Sequence, residues 1–92
     1  MESIMQTGKY CYLCGRTDSL ERHHVFFGNQ YRQLSEKNGL WVWLCAECHR
    51  TGKHSAHLDK DTNLHLKEDG QRAYELTHTR QDFMKVFGRN WL

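Results

Sequence analysis

Two histidines stand side by side in LERHHVFFG, the stretch from Leu20 to Gly28. An imidazole can give a nitrogen to a metal ion or take a proton near neutral pH, so the pair is a natural place to look for chemistry. Cysteines flank it on both sides. YCYLCGR carries Cys11 and Cys14, and WLCAECHR carries Cys45 and Cys48, with His49 directly after. Two residues between thiolates let one tight turn aim both sulfurs at a single ion, and two such turns complete a tetrahedral structural zinc site. A disulfide pair or unconnected buried cysteines are the plainer readings, and this spacing favours zinc over both. A site closed by four cysteines keeps no open position, so any chemistry must lie with the histidines.

The elements that must position these residues can be read along the chain. Residues 1–9 are expected to form a flexible leader, and residues 10–92 a single domain with its zinc-stapled part at about 10–58. Leu20 to Phe27 is rich in β-formers and ends at Gly28–Asn29, which predicts a strand. Gln30 to Gly39 is polar and closes on an Asn-Gly turn signal. Leu40 to Leu44, LWVWL, predicts a second strand covered on both faces, with Trp41 and Trp43 read as core. A helix is expected to start near Ala46, with Gly52 working against its continuation. Covering helices are expected over about 60–88. Leu66, Gly70, Ala73, Tyr74 and Thr77 share one helical stripe, with Gly70 where something packs close. Thr79 with Asp82 has the form of a capping box, and Gly88 is a stop.

This order places the histidines. Zinc joins the two CxxC turns, so the first strand comes close to the helix that carries His49. Histidines distant in sequence can then share a second site. One takes a proton from water while a metal held by others stabilises charge on a phosphate, which is the chemistry of phosphodiester hydrolysis.

The arrangement CYLC…ERHHVF…LCAECHR resembles the HNH family of nucleases, in the zinc-stapled branch with four cysteines. The resemblance covers about half the chain, from Cys11 to His49 and toward His57, and the tail is similar to that of small phage-encoded HNH proteins. It implies an α+β fold: a zinc-stabilised ββα-metal core, here with additional C-terminal helices. It implies His24 as general base and His23 and His49 as ligands of a catalytic divalent metal, Mg²⁺, Mn²⁺ or similar. His57 is the candidate further ligand, with His54 behind it. The family's central Asn is expected where this chain has Leu40; Asn38 is the nearest substitute, and Asn29 could instead bridge the loop. Neighbouring residues on a flat strand face opposite ways, so His23 and His24 meet in one site only if the strand bends or bulges. Taken alone, His24 would read as a hydrogen-bonded core histidine and His49 as a donor to a zinc-bound sulfur.

Composition sets outer limits. The chain has 92 residues, a net charge of +2, four Phe, four Tyr, three Trp and no proline. That is a globular composition, too small for a generous core, so a metal staple is in keeping with it. No apolar run is long enough to span a membrane, and Met1 to Tyr10 lacks a signal-peptide core, so a reducing cytoplasm is expected; the resemblance implies that of a bacterial or phage-infected host cell. The modest positive charge permits DNA as partner. Arg22, Arg50 and Lys53 lie close to the histidines in sequence and are the expected phosphate contacts, salt-sensitive and indifferent to base sequence. A homodimer, or a partner protein of a phage or mobile element, is compatible with the resemblance. Two functions are expected in competition: a metal-dependent DNA endonuclease or nickase, and a non-catalytic zinc-stabilised module that binds nucleic acid or protein.

Overall fold

The structure is a computed structural model that describes Met1–Leu92. It is a small α+β domain in which β1 (Leu20–His24), α1 (Tyr31–Lys37) and β2 (Trp41–Cys45) are followed by one wide π-type turn (Glu47–Thr51), then α2 (Lys60–Tyr74) and α3 (Arg80–Phe87). β1 and β2 pair antiparallel, one residue against one, from Leu20 opposite Cys45 to His24 opposite Trp41. The strand expected to reach Phe27 stops at His24, where the chain turns inward. Val25 and Phe26 enter the core with Leu40, Val42, Leu44, Leu66, Tyr74, Phe83 and Phe87.

α1 replaces the polar loop expected between the strands. Tyr31 to Lys37 contains no helix breaker, and Gly39 at φ +71° ends it. Two turns are too few for an apolar period to show in the sequence. Its inner face places Ser35, fully buried, against the chain leaving β1. The Ser35 hydroxyl donates to the carbonyl of Phe26 (2.6 Å) and accepts from the Phe26 N–H (3.0 Å). One side chain thus satisfies both backbone groups of a residue that has left the sheet.

Residues 1–9, expected as a flexible leader, lie along the open edge of β2 instead. The Ile4 N–H donates to the carbonyl of Gly39 (2.8 Å), the Trp41 indole donates to the carbonyl of Met1 (2.9 Å), and the Trp43 N–H donates to Gln6 Oε1 (2.8 Å). A strand edge that lacks a neighbour needs such partners, and polar side chains at Ser3 and Gln6 supply part of them. This explains why β2 reads as apolar on both faces: one lies on the core and the other lies under the leader.

The helical half follows its local signals. Thr79 and Asp82 form the reciprocal capping box, and Gly88 ends α3 at φ +75°. A Cβ on Gly70 would stand 3.3 Å from both Phe26 and Val25, so the glycine lets α2 approach β1's continuation closely. α2 ends at Tyr74, short of His78. On its buried face Gln71 was not anticipated; its amide donates to Asn90 (2.8 Å) and its carbonyl accepts from the Trp91 N–H (2.7 Å), which holds the C-terminal residues on the domain. No helix is long and apolar enough to cross a membrane.

Ser35→Ala should destabilise the domain by about 2 to 3 kcal/mol, because it leaves two buried backbone groups of Phe26 without partners. Denaturant unfolding at constant slope checks this; a loss below about 0.5 kcal/mol, the size of an ordinary surface change, would show the bridge to be dispensable.

Candidate metal centre and histidine cavity

The four thiols come together first. The sulfurs of Cys11, Cys14, Cys45 and Cys48 all lie within 4.8 Å of one another, and Cys14 and Cys45 are 3.7 Å apart. Zinc–sulfur bonds of about 2.3 Å in a tetrahedron give sulfur–sulfur edges of about 3.8 Å, so the cluster has the size of a four-thiolate metal site. Backbone geometry prepares it: the Cys48 N–H points at the Cys45 sulfur (3.5 Å), as is usual where a tight turn carries a thiolate. A structural metal such as zinc fits this set.

The strand then divides its polar residues between two faces. No bulge interrupts β1, so Glu21 and His23 share one face while Arg22 and His24 share the other. On the first face His23, 1% exposed, meets His49 and His57, with ring centres 5.1 and 5.2 Å away. One nitrogen from each of the three lies within 4.8 Å of the others. His57 arrives by a route the sequence did not suggest. After the turn ends at Gly52, the chain doubles back and the N–H groups of Ala56 and His57 donate to the carbonyls of Cys48 and His49. That lays His57 over His49, with their Nε2 atoms 3.1 Å apart. The carboxylate of Glu21 holds the Nδ1 side of His49 (2.7 Å), which leaves Nε2 for the cluster; a carboxylate behind a ligating imidazole is a common support for metal sites.

His23 carries the sharpest signal. Its Nε2 is buried and has no hydrogen-bond partner. Buried polar atoms are nearly always paired, so an orphan on a ring that meets two other imidazoles suits a cation. Burial, and then the nearby charges of His49 and His57, hold the His23 imidazole down to about 3, far below the ordinary 6.5. It is therefore a neutral imidazole, the form that ligates metal.

On the other face His24 faces Glu36, on α1, with Nε2 2.8 Å from Oε1. The same carboxylate accepts twice from Arg22 (2.9 and 3.0 Å), and the His24 hydrogen bond followed by that of Arg22 holds Glu36 down to about 2. Although the two histidines point to opposite faces, both reach one cavity at the end of the strand. It measures about 210 Å³ and is lined by Arg22, Arg32, Phe27 and the histidines 23, 24, 49 and 57. The bend or bulge expected for this convergence is absent; the end of the strand serves instead.

Several expected residues sit elsewhere. Asn38 is the C-cap of α1, and its amide donates to the carbonyl of Leu34 (2.8 Å), away from the cavity. The chain leaving β1 is held instead by Ser35, which bonds both backbone groups of Phe26. Asn29 occupies the left-handed turn after Gly28. His54 bonds Asp59 (3.2 Å) outside the trio. Arg50 is bound to Glu21 through two nitrogens (3.0 and 2.8 Å), and Lys53 is exposed and lines no part of the cavity. Glu21, Glu36, Arg32 and Phe27 were missed. Glu21 was legible, since ERHH puts it two residues from His23 and so on the same face. Glu36 had no local signal.

The chain matches no family model, no curated protein and no solved structure.

Two outcomes follow. Chelation of the thiol-bound metal, or Cys14→Ser, should unfold the domain, seen as loss of far-ultraviolet helical signal, because binding such a metal contributes directly to folding; a variant that kept native signal without metal would contradict this. Acid should also weaken the zinc-loaded protein. Between about 6.5 and 3 the unfolded chain protonates His23 while the folded chain does not, so stability falls as pH falls, by at most about 1.4 kcal/mol per unit from this group. Burial and His49 lower His57 too, which adds in the same direction. Denaturation midpoints at pH 6.5 and 5.5 should differ in the native chain and differ less in His23→Leu.

Proposed function

We propose that this chain is an HNH-type, metal-dependent DNA endonuclease or nickase, with His24 as general base and His23, His49 and His57 as ligands of a divalent ion. The observation that carries the reading is the buried, unpartnered Nε2 of His23, a member of the trio that lines the same cavity as His24. Bound there, a divalent ion would stabilise charge on the attacked phosphate and on the leaving 3′ oxygen. An all-imidazole set suits Ni²⁺ or Zn²⁺ best, while Mn²⁺ and Mg²⁺, which prefer oxygen ligands, would take the rest of their shell from water and phosphate.

The chain's own groups perform the rest. Nε2 of His24 is engaged by Glu36, so Nδ1 takes the proton as water attacks phosphorus. Glu36 fixes the ring's orientation and stabilises the imidazolium that forms, the part a carboxylate plays behind many catalytic histidines. The bond from phosphorus to the 3′ oxygen breaks, which leaves a 5′-phosphate and a 3′-hydroxyl, as the resemblance implies. Arg32 lines the cavity and has no carboxylate partner, so it replaces the tethered Arg50 as the readiest phosphate contact, with Arg22 beside it. The basic residues hold phosphate, and nothing in the cavity presents a row of donors to base edges, so sequence preference should be weak.

Zinc-loaded protein given Mn²⁺ should nick supercoiled plasmid. His24→Ala should lower the rate by about 10² or more with the fold intact, and Glu36→Gln by a smaller factor. Nicking at the native rate by His24→Ala would remove the base. Failure of the trio to bind Mn²⁺ or Ni²⁺ would favour a binding module that uses only the four-thiol metal.

A further inference from the structure

Opposite residues of an antiparallel pair put their side chains on the same face, and here Arg22 lies opposite Trp43 and His24 opposite Trp41. The face that bears the proposed base therefore also bears two tryptophans. Trp41 is buried, as expected from its sequence, while Trp43 is only half-buried and stands outside the core. Their rings meet edge to face, 5.4 Å between centres. Arg22 lies over Trp41 at 3.7 Å and near Trp43 at 5.6 Å, and the ammonium of Lys9 lies 4.7 Å from the Trp43 ring centre. The leader walls this face into a trough of about 650 Å³, lined by both tryptophans, Arg22, Gln6 and Thr7, with Glu2 as its one carboxylate. Arg22 lines the histidine cavity as well, so its side chain is a wall shared by the two spaces.

We propose that this trough binds unpaired nucleotides of the strand being cut, with Trp43 as a stacking platform and Lys9 and Arg22 on the flanking phosphates. The inference rests on the nuclease reading and narrows its substrate to DNA that is single-stranded beside the cut. Cations interleaved with a half-buried tryptophan are the chemistry of single-strand sites, where bases stack and the backbone is held by charge. A trough of this size takes roughly one or two nucleotides. In a duplex each base already has its faces covered by its neighbours, so a platform recessed beneath the leader can be reached only by a base outside the stack. Trp41 is covered by Arg22 and the leader and supports Trp43 from the side.

The test is fluorescence anisotropy of a labelled oligothymidylate with the full zinc-loaded chain in EDTA-free buffer containing Ca²⁺ in place of Mn²⁺. Cleavage is not needed for the readout. Binding should be tighter to the single strand than to a duplex of the same length. Trp43→Leu should weaken it about tenfold, Trp43→Phe much less, and Lys9→Ala should lower the salt slope by about 0.7. Thr7→Glu, at an exposed position on the wall, should weaken binding without risk to folding. Preference for the duplex, or native affinity in both Trp43→Leu and Thr7→Glu, would overturn the proposal. Tighter binding of oligouridylate than of oligothymidylate would overturn the assignment to DNA. Loss of metal-dependent nicking with single-strand binding retained would instead overturn the nuclease reading, so the two failures are distinguishable.

Discussion

The convergence of two CxxC turns on one point is the constraint on which the rest of the domain depends. Thirty residues separate Cys14 from Cys45, and they contain β1, α1 and most of β2. Bringing the four sulfurs together sets Leu20 opposite Cys45, and every later pair in the ladder follows from that first one. The same point starts the wide turn that carries His49. Without the thiol cluster, a two-stranded sheet is marginal in water, and the residues of the histidine cavity come from three separate segments.

Strict alternation along β1 then sorts function by side. Glu21 and His23 face the trio, while Arg22 and His24 face α1 and the trough. Two of the four imidazoles at the cavity have a carboxylate behind them: Glu21 for His49 and Glu36 for His24. Each carboxylate is in turn held by an arginine, Arg50 and Arg22. The two chains of contacts, arginine to carboxylate to imidazole, approach the same cavity from opposite faces of one strand. His23 and His57 lack such support, and the bare nitrogen of His23 is the feature that suits the proposed cation.

What the sequence showed depended on whether the signal was local. The thiol pairs, the capping box at Thr79 and the stop at Gly88 each lie within a few residues, and each is found as expected. His23, His49 and His57 were selected from types and order, and they do converge, though His57 comes by a reversed turn that no periodicity marks. Asn38 failed because the link between the strands was read as a loop. Once that link is a helix, Ser35 reaches the Phe26 backbone and Glu36 reaches His24, while residue 38 closes the helix end. Arg50 and Lys53 were chosen for closeness in sequence; in space Arg50 pairs with Glu21, and Lys53 is exposed and lines no part of the cavity. Ser35 and Glu36 act only through tertiary contacts with β1 and the residues after it, which no pattern in YRQLSEK announces.

The leader's place along β2 has a consequence for the fate of the chain in solution. WVWLC is apolar, uncharged and rich in strand-forming residues, the type of segment that recruits copies of itself when its backbone is open. Ile4, Gln6 and the Tyr12 N–H occupy the groups by which another strand would add. The leader thus works as a guard against self-assembly, and removing it would turn the most apolar strand of the domain into a template for aggregation.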